Sequence, residues 1–344
     1  MSARIAIDAM GGDYAPGELV KGALSALKAD PSLQLILVGD AARLQAELAL
    51  HGAPDHVPTH SLEIVHASEV IGMDEAATAV RKKKDASINV AMALVKRGEA
   101  QAVVALGSTG AAMSAALLGL GRIKGIERPA IGVVLPTLKG PCLLIDVGAN
   151  ADCKPAYLQQ FAIMGQVYAQ QVLKVAAPRV GLMNIGEEPG KGNELAQATY
   201  TLLSETPGIN FIGNVEGRDM TRGNADVVVT DGFVGNVVLK SAEGFAELFQ
   251  TLLTEAVMAG GLKAKLGAWL MRQALRSFKR RIDPAEYGGA LLLGVNGVCI
   301  IGHGSSRAYA VANAIRVAKE AVVGGTVAVI ADHLTPAEGS PSPN

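Results

Sequence analysis

Short apolar runs rich in β-branched residues alternate with helical patterns along almost the whole chain. This alternation narrows the fold more than any other feature. Residues 4–8, 33–38, 62–66, 102–106, 131–135, 143–147, 180–185, 209–212 and 225–230 read as strands, most of them closed by glycine, proline or aspartate. Residues 291–301 form one more apolar, strand-like run containing Gly294 and Gly297. Helical patterns lie between them, over 41–50, 74–97, 111–120, 155–175, 194–204 and 237–258, and again after His303. Strands alternating with helices in this way predict an α/β fold with a mostly parallel, Rossmann-like sheet. A chain of 344 residues, 49% hydrophobic, can bury a large core, so residues 1–334 are expected to form one domain, with two lobes possible. The proline-rich residues 335–344 read as a disordered tail.

Several function classes fall away early. The formal charge is −1, so no global field draws the chain to nucleic acid. Cys142, Cys153 and Cys299 are widely spaced and make no metal-ligand pattern, which fits a reducing cytoplasm. His56 and His60 flank Pro58, which argues against a helical metal pair. The N-terminus meets Arg4 too soon for a signal peptide. Residues 100–121 are uncharged and about bilayer length, but Gly107-Ser-Thr-Gly110 divides them into strand, loop and helix. No metal and no cofactor is expected.

The strand ends carry the chemistry. Asp8 with Gly11 and Gly12, the 107–110 loop, Asp146 with Gly148 and Asn150, the 186–192 loop, and Asp231 with Gly235 and Asn236 each join glycine to a polar residue. In a parallel sheet such ends gather on one side and form a polar cleft. Gly186, Gly190 and Gly192 frame Lys191, a pattern that brings backbone N–H groups and an ammonium to an anion. A plain βα connection with a solvated lysine is the competing reading. The spacing is one residue short of a Walker A loop, and Gly192 stands where Ser or Thr would hold magnesium, so ATP is excluded. Ser108 and Thr109, between Gly107 and Gly110, suit either an anion site or helix capping. Asp231 is a turn aspartate or a ligand-orienting carboxylate. His303 is an anion contact or a structural imidazole.

Two stretches are basic. Arg81, Lys82, Lys83 and Lys84 are a solvated face or a docking patch for an acidic partner. Residues 262–281 hold seven cations and no acid. Read as one continuous helix, they place Lys265, Arg272, Arg276 and Lys279 in one arc, opposite Leu266 and Leu270, with Trp269 near the boundary. Such a helix suits an anionic membrane surface through Leu262, Leu266, Trp269 and Leu270, or packing against a second subunit.

Taken together, these motifs resemble the PlsX-type phosphate acyltransferases. The resemblance runs through Ile7-Asp-Ala-Met-Gly-Gly-Asp13 with Pro16, Ala79-Val-Arg-Lys-Lys-Lys-Asp85 and Gly107-Ser-Thr-Gly-Ala111. It continues in Arg128-Pro-Ala-Ile131, Leu144-Ile-Asp-Val-Gly-Ala-Asn150 and Gly186-Glu-Glu-Pro-Gly-Lys-Gly192. Asn214-Val-Glu-Gly217 and Thr230-Asp-Gly-Phe-Val-Gly-Asn236 complete it, covering nearly all of residues 3–325. It implies a fold similar to the isocitrate/isopropylmalate dehydrogenase-like group that includes the phosphotransacetylases, with a protruding basic amphipathic helical hairpin at about 237–283. It implies a cytoplasmic homodimer, peripherally membrane-associated, that converts long-chain acyl-ACP (acyl carrier protein) and inorganic phosphate to acyl phosphate. That product would pass to a membrane glycerol-3-phosphate acyltransferase in phospholipid synthesis. On this reading Lys191, Asp231 and Asn236 are catalytic. Gly107, Ser108, Thr109, Gly110, Gly186, Gly190, Gly192 and His303 bind phosphate or substrate, and Arg81 to Lys84 dock ACP. A short-chain phosphotransacetylase acting on acyl-CoA, a decarboxylating dehydrogenase and a non-catalytic ACP-binding membrane scaffold are the alternatives.

Overall fold

The structure is a computed structural model and describes residues 3–51 and 61–334. The His56/His60 pair and the tail at 335–344 lie outside the described residues. Among the described residues eleven strands form one sheet: β1 (Arg4–Asp8), β2 (Gln34–Gly39), β3 (Leu62–His66), β4 (Ala102–Ala105), β5 (Ala130–Pro136), β6 (Pro141–Ile145), β7 (Val180–Met183), β8 (Phe211–Val215), β9 (Val227–Val229), β10 (Ala290–Leu293) and β11 (Val298–Ile301). The first seven helices are α1 (Gly17–Ala29), α2 (Ala41–Leu50), α3 (Ala79–Lys82), α4 (Ser87–Lys96), α5 (Thr109–Gly119), α6 (Pro155–Gln171) and α7 (Glu194–Ser204). They are followed by α8 (Gly217–Arg222), α9 (Gly232–Ala259), α10 (Gly261–Leu270), α11 (Arg272–Ile282), a 3-10 turn at Pro284–Tyr287, α12 (Ala308–Val323) and α13 (Thr326–Leu334).

The strand order is β3-β2-β1-β4-β11-β10-β5-β6-β9-β7-β8. Pairing is parallel within β3-β2-β1-β4-β11 and within β6-β9-β7-β8. Between these blocks β10 is antiparallel to both β11 and β5, and β5 is antiparallel to β6. Three reversals in succession leave β6, β7, β8 and β9 running opposite to β1 to β4 and β11. The mostly parallel sheet expected from sequence is present, but its strand ends do not gather on one side. β1, β4 and β11 end at what we call the upper edge, and β6, β7 and β9 end at the lower edge.

Two of the three reversals are tight turns. Between β5 and β6, Thr137 donates from Oγ1 to Gly140 O at 2.6 Å and from its amide at 3.0 Å, closing a tight return. The run at 291–301 is not one strand. Gly294, at φ +90°, breaks it into the antiparallel hairpin β10–β11.

Inner strands are buried on both faces, which explains their near-continuous apolar character. Ile5 and Ile7 of β1 belong to the core on the side of α1 and α12, while Ala6 belongs to the core on the side of α4 and α5. The single helix expected over 74–97 is instead the short α3 and the separate α4, joined by Lys83 to Ala86. The basic stretch is likewise not one helix. Met271, at φ −84° and ψ 3°, separates α10 from α11, so Lys265 does not share a continuous arc with Arg272 and Arg276.

α9 is 28 residues long, about 42 Å at 1.5 Å per residue, far longer than the strands it packs on. Within it only Gly232 and Gly235 are fully buried, and Val238 and Leu239 rest on the sheet. The remainder extends past the core, where Phe249 meets Phe278 of α11 edge-on with ring centroids 6.0 Å apart. Arg281 rejoins the body by donating to the carbonyls of Thr137 and Leu138. Among the described residues no helix is long and apolar enough to cross a membrane.

Candidate functional site

The lower edge is organised by Asp146, at the end of β6. Its carboxylate is fully buried. Oδ1 accepts from the amides of Ile131 (2.9 Å), Gly148 (3.2 Å) and Ala149 (3.1 Å), and Oδ2 accepts from Asn150 N (2.8 Å) and Asn150 Nδ2 (3.0 Å). Burial pushes its pKa up, and the hydrogen bonds from Ile131, Ala149 and Asn150 oppose that shift. The turn shaped in this way receives the start of α9. Gly232 N donates to Asn150 O at 2.7 Å. A Cβ on Gly235 would lie 1.8 Å from Asp146 O, so only glycine permits this approach.

α9 opens on Asp231, whose Oδ1 accepts from Val234 N at 2.9 Å, an ordinary N-cap. Asn236, one turn on, is exposed, with its amide close to Gly148. Cys153 stands beside this turn, Sγ 3.5 Å from Asn150 O. Burial first, then Asp146, pushes its thiol up to about 12, so it offers no thiolate at neutral pH.

β7 lies next to β9, so the loop after β7 leaves the sheet beside Asp231. Three polar side chains hold that loop by its carbonyls. Asn184 Nδ2 donates to Lys191 O (3.1 Å), Asn214 Nδ2 to Glu188 O (2.7 Å), and Gln197 Nε2 to Gly190 O (2.9 Å) and Gly192 O (3.1 Å). Asn193 caps α7 by accepting from Ala196 N at 2.9 Å. With its carbonyls turned inward, the loop leaves the N–H groups of Gly186, Gly190 and Gly192 without a protein acceptor among the described residues. Lys191 is exposed, its stem over Gly186, and no ion pair joins it to Glu187 or Glu188 among the described residues. Glu188 serves the loop through its backbone carbonyl. The sequence offered no hint of this, because Asn214 lies 26 residues away on β8.

The upper edge holds the other expected site residues. Gly11 and Gly107 touch backbone to backbone, and Asp13 N donates to Gly304 O at 2.9 Å. Buried Asp8 accepts from Ser87 Oγ at 2.6 Å; burial raises its pKa, against that bond. Ser108 caps α5 through Ala111 N (3.4 Å), with Thr109 as the first helical residue and Gly110 beside Ala77. His303 Nδ1 lies 2.8 Å from Ser305 Oγ and accepts from Ser305 N at 3.3 Å, holding a local turn. No hydrogen bond or ion pair among the described residues links this group to the lower edge. The structure therefore puts the Lys191 loop and the Asp231–Asn236 turn after adjacent strands at one edge, and Gly107 to Gly110 and His303 at the other.

The Arg81 to Lys84 run also sits at the upper edge, after β3. Arg81, Lys82 and Lys84 are exposed, whereas Lys83 Nζ is engaged by Glu75 Oε1 (2.6 Å) and Val70 O (2.7 Å). Among the described residues no group of three or more His, Cys, Asp or Glu is placed to hold a metal ion.

A family described as "Fatty acid synthesis protein" matches residues 3–328. A phosphate acyltransferase of Synechococcus elongatus is 54% identical over 99% of this chain and 96% of its own. The chain belongs to the PlsX-type phosphate acyltransferase family. A phosphate acyltransferase of Heliobacterium modesticaldum is 57% identical over 96% of this chain and 97% of its own. Among solved structures, a phosphotransacetylase from Streptococcus pyogenes superposes with a TM-score of 0.63 at 17% identity, covering 94% of each chain. A branched-chain phosphotransacylase from Enterococcus faecalis gives 0.57 at 17% identity, over 93% of this chain and 99% of that one. At that identity the structures speak to the fold alone: the family shares the α/β architecture of the phosphotransacetylases.

Proposed function

We propose that this chain transfers a long-chain acyl group from acyl-ACP to inorganic phosphate, giving acyl phosphate and free ACP. The observation that carries the reading is the lower edge, where a glycine-framed Lys191 and the Asp231–Asn236 turn leave adjacent parallel strands. The amides of Gly186, Gly190 and Gly192, which have no acceptor among the described residues, form with the Lys191 ammonium a cradle for a multiply charged anion. Asp231 and Asn236 orient phosphate or the thioester from the facing turn. A phosphate oxygen attacks the thioester carbon, the carbonyl oxygen takes negative charge beside Lys191, and the C–S bond breaks. Hydrogen phosphate and thioester give acyl phosphate and thiol, so the proton balances within the reactants. Positioning two anionic reactants and stabilising the oxyanion are the whole task. With Cys153 held protonated, no thiolate competes as nucleophile.

The surface supports an apolar donor and a membrane setting. Ile185, in the loop after β7, and Phe233, in the first turn of α9, are 83% and 65% exposed and give the acyl chain an apolar surface. Leu262, Leu266 and Leu270 are 88%, 59% and 67% exposed, and Arg272 lies over the exposed Trp269 ring at 4.5 Å, a combination suited to an anionic lipid surface. The apolar side of α9, with Phe245, Leu248 and Leu252 exposed, suits a second copy, giving a cytoplasmic homodimer at the membrane. Its product would there be handed to a glycerol-3-phosphate acyltransferase in phospholipid synthesis. The second reading is a short-chain phosphotransacetylase using acyl-CoA, which the shared fold favours and the exposed apolar surface does not.

The test is to incubate the protein with palmitoyl-ACP or acetyl-CoA, with and without phosphate, and trap acyl phosphate with hydroxylamine. Phosphate-dependent hydroxamate from palmitoyl-ACP is expected. Product from acetyl-CoA alone would establish the second reading, and no product from either would end both.

A further inference from the structure

At the lower edge, beside the Asp146 turn, two cations, Arg128 and Lys154, flank the Tyr157 ring, and Arg122 lines the same hollow. An open pocket of about 390 Å³ is lined by Leu117, Arg122, Glu127, Arg128, Pro129 and Tyr157. That volume lies within the usual range of small-molecule sites, about 300 to 1,000 Å³. The Arg128 guanidinium carbon is 5.9 Å from the Tyr157 ring centroid, and Lys154 Nζ is 6.0 Å from the same centroid. Arg122 donates to Glu127 O and so stiffens the loop that carries Arg128. Among the described residues no carboxylate pairs with Arg122, Arg128 or Lys154, whereas Lys83, Arg179 and Lys319 each find one elsewhere. Glu127 is the one carboxylate in the lining, and with Arg122, Arg128 and the neighbouring Lys154 the cations outnumber it, which raises the local potential and favours an anionic ligand. α6 begins here with Pro155 and no acid in its first turn, so its positive end adds to the field.

The pocket is joined to the candidate site through one residue. Asn150 Nδ2 donates to Pro129 O at 2.8 Å in the pocket wall, while Asn150 O accepts from Gly232 N at 2.7 Å, next to Asp231. A ligand anchored by its anionic end at Arg122, Arg128 and Lys154 therefore lies on the same edge as Lys191, and the Arg81 to Lys84 run does not. Resting on the acyl-ACP reading, we propose that this pocket binds the phosphate of the pantetheine arm that carries the acyl thioester. Leu117 and the Tyr157 ring give the arm an apolar wall, and Asn150 links the occupied pocket to the α9 turn.

The test uses the full chain and does not depend on turnover. Binding of 4′-phosphopantetheine, pantetheine and inorganic phosphate is measured by calorimetry for wild type and for an Arg122→Ala/Arg128→Ala variant of unchanged thermal melting. An Arg122→Gln/Arg128→Gln variant stands in should the alanine pair not fold. Wild type is expected to bind phosphopantetheine at least tenfold more tightly than pantetheine, and the variant to lose that preference. In turnover, the variant is expected to raise KM for acyl-ACP at least tenfold, leaving KM for phosphate and the rate with an acyl-N-acetylcysteamine donor unchanged. Equal wild-type affinity for the two pantetheines overturns the proposal, as does a preference the variant retains. A variant that raises KM for phosphate instead assigns the pocket to the free anion and overturns it too. Absence of acyl phosphate with every donor would refute the activity alone, since the binding measurements decide the pocket separately.

Discussion

Asp146→Asn separates a scaffold from a catalytic turn. The amide keeps one oxygen, which can still accept from Ile131, Gly148 and Ala149, but its NH₂ faces the two donors of Asn150. Two hydrogen bonds to a charged acceptor are lost, each about 1.5 to 3 kcal/mol. Against that loss, the substitution removes a carboxylate whose pKa burial has raised, which returns part of the cost. The sign follows from linkage. The folded-state pKa is above the unfolded one, so this group's contribution to stability is present below the ordinary carboxylate range and lost as pH rises through the raised value. At neutral pH the two effects oppose, and a net destabilisation of about 2 kcal/mol is expected. Turnover should suffer more. Asn150 O holds Gly232 N, and a shift of about 1 Å in the α9 turn costs on the order of 10²-fold in rate. The assay is hydroxamate formation across acyl-ACP and phosphate concentrations, with a thermal melt of each protein. A fall in kcat with both KM values near wild type is the expected pattern. Wild-type kcat in a destabilised variant would show that the turn is scaffold only and would refute its link to Asp231 and Asn236.

Two further predictions concern other parts of the molecule. Arg179 holds Asp226 by paired bonds, Nε to Oδ2 and Nη2 to Oδ1, each 2.9 Å; burial works against the carboxylate, but Arg179 wins and its pKa is lowered. Asp226→Asn should cost roughly 2 kcal/mol at neutral pH, and the gap from wild type should close in urea melts as pH falls through the lowered pKa; a gap independent of acid pH would contradict the pairing argument. Leu262→Ser with Trp269→Ser should reduce co-flotation with anionic liposomes several-fold while leaving turnover on detergent-solubilised donor unchanged, and equal flotation would remove the membrane role.

The parts of the fold legible in sequence are those set by local pattern. The apolar runs of β1, β4, β7 and β9 and the glycines that follow them are visible without any partner strand. Strand direction is not, because it depends on the antiparallel pairing of β10 with β5 and on two short turns. One is the Thr137–Gly140 turn, and the other is Gly294 inside an apolar run that reads as a single strand. Those reversals divided the polar strand ends between two edges and separated Gly107 to Gly110 and His303 from Lys191. The break at Met271 escaped for a related reason: its neighbours are good helix formers, and nothing in their order marks a stop. Lys191 and Asp231 could each be picked out, but that they leave neighbouring strands follows only from the order β9-β7. Asp146 was visible as one polar strand end among several. Its rank depends on donors contributed by β5 and its own turn, which only the sheet pairing reveals.

Lys191→Ala, assayed for acyl phosphate from palmitoyl-ACP and phosphate, tests the central claim most directly. The side chain is exposed and has no ion pair among the described residues, so the fold should survive with an unchanged melt. Loss of a charged contact to the developing oxyanion predicts a rate at least about 10²-fold lower. A folded variant with wild-type turnover would contradict the account.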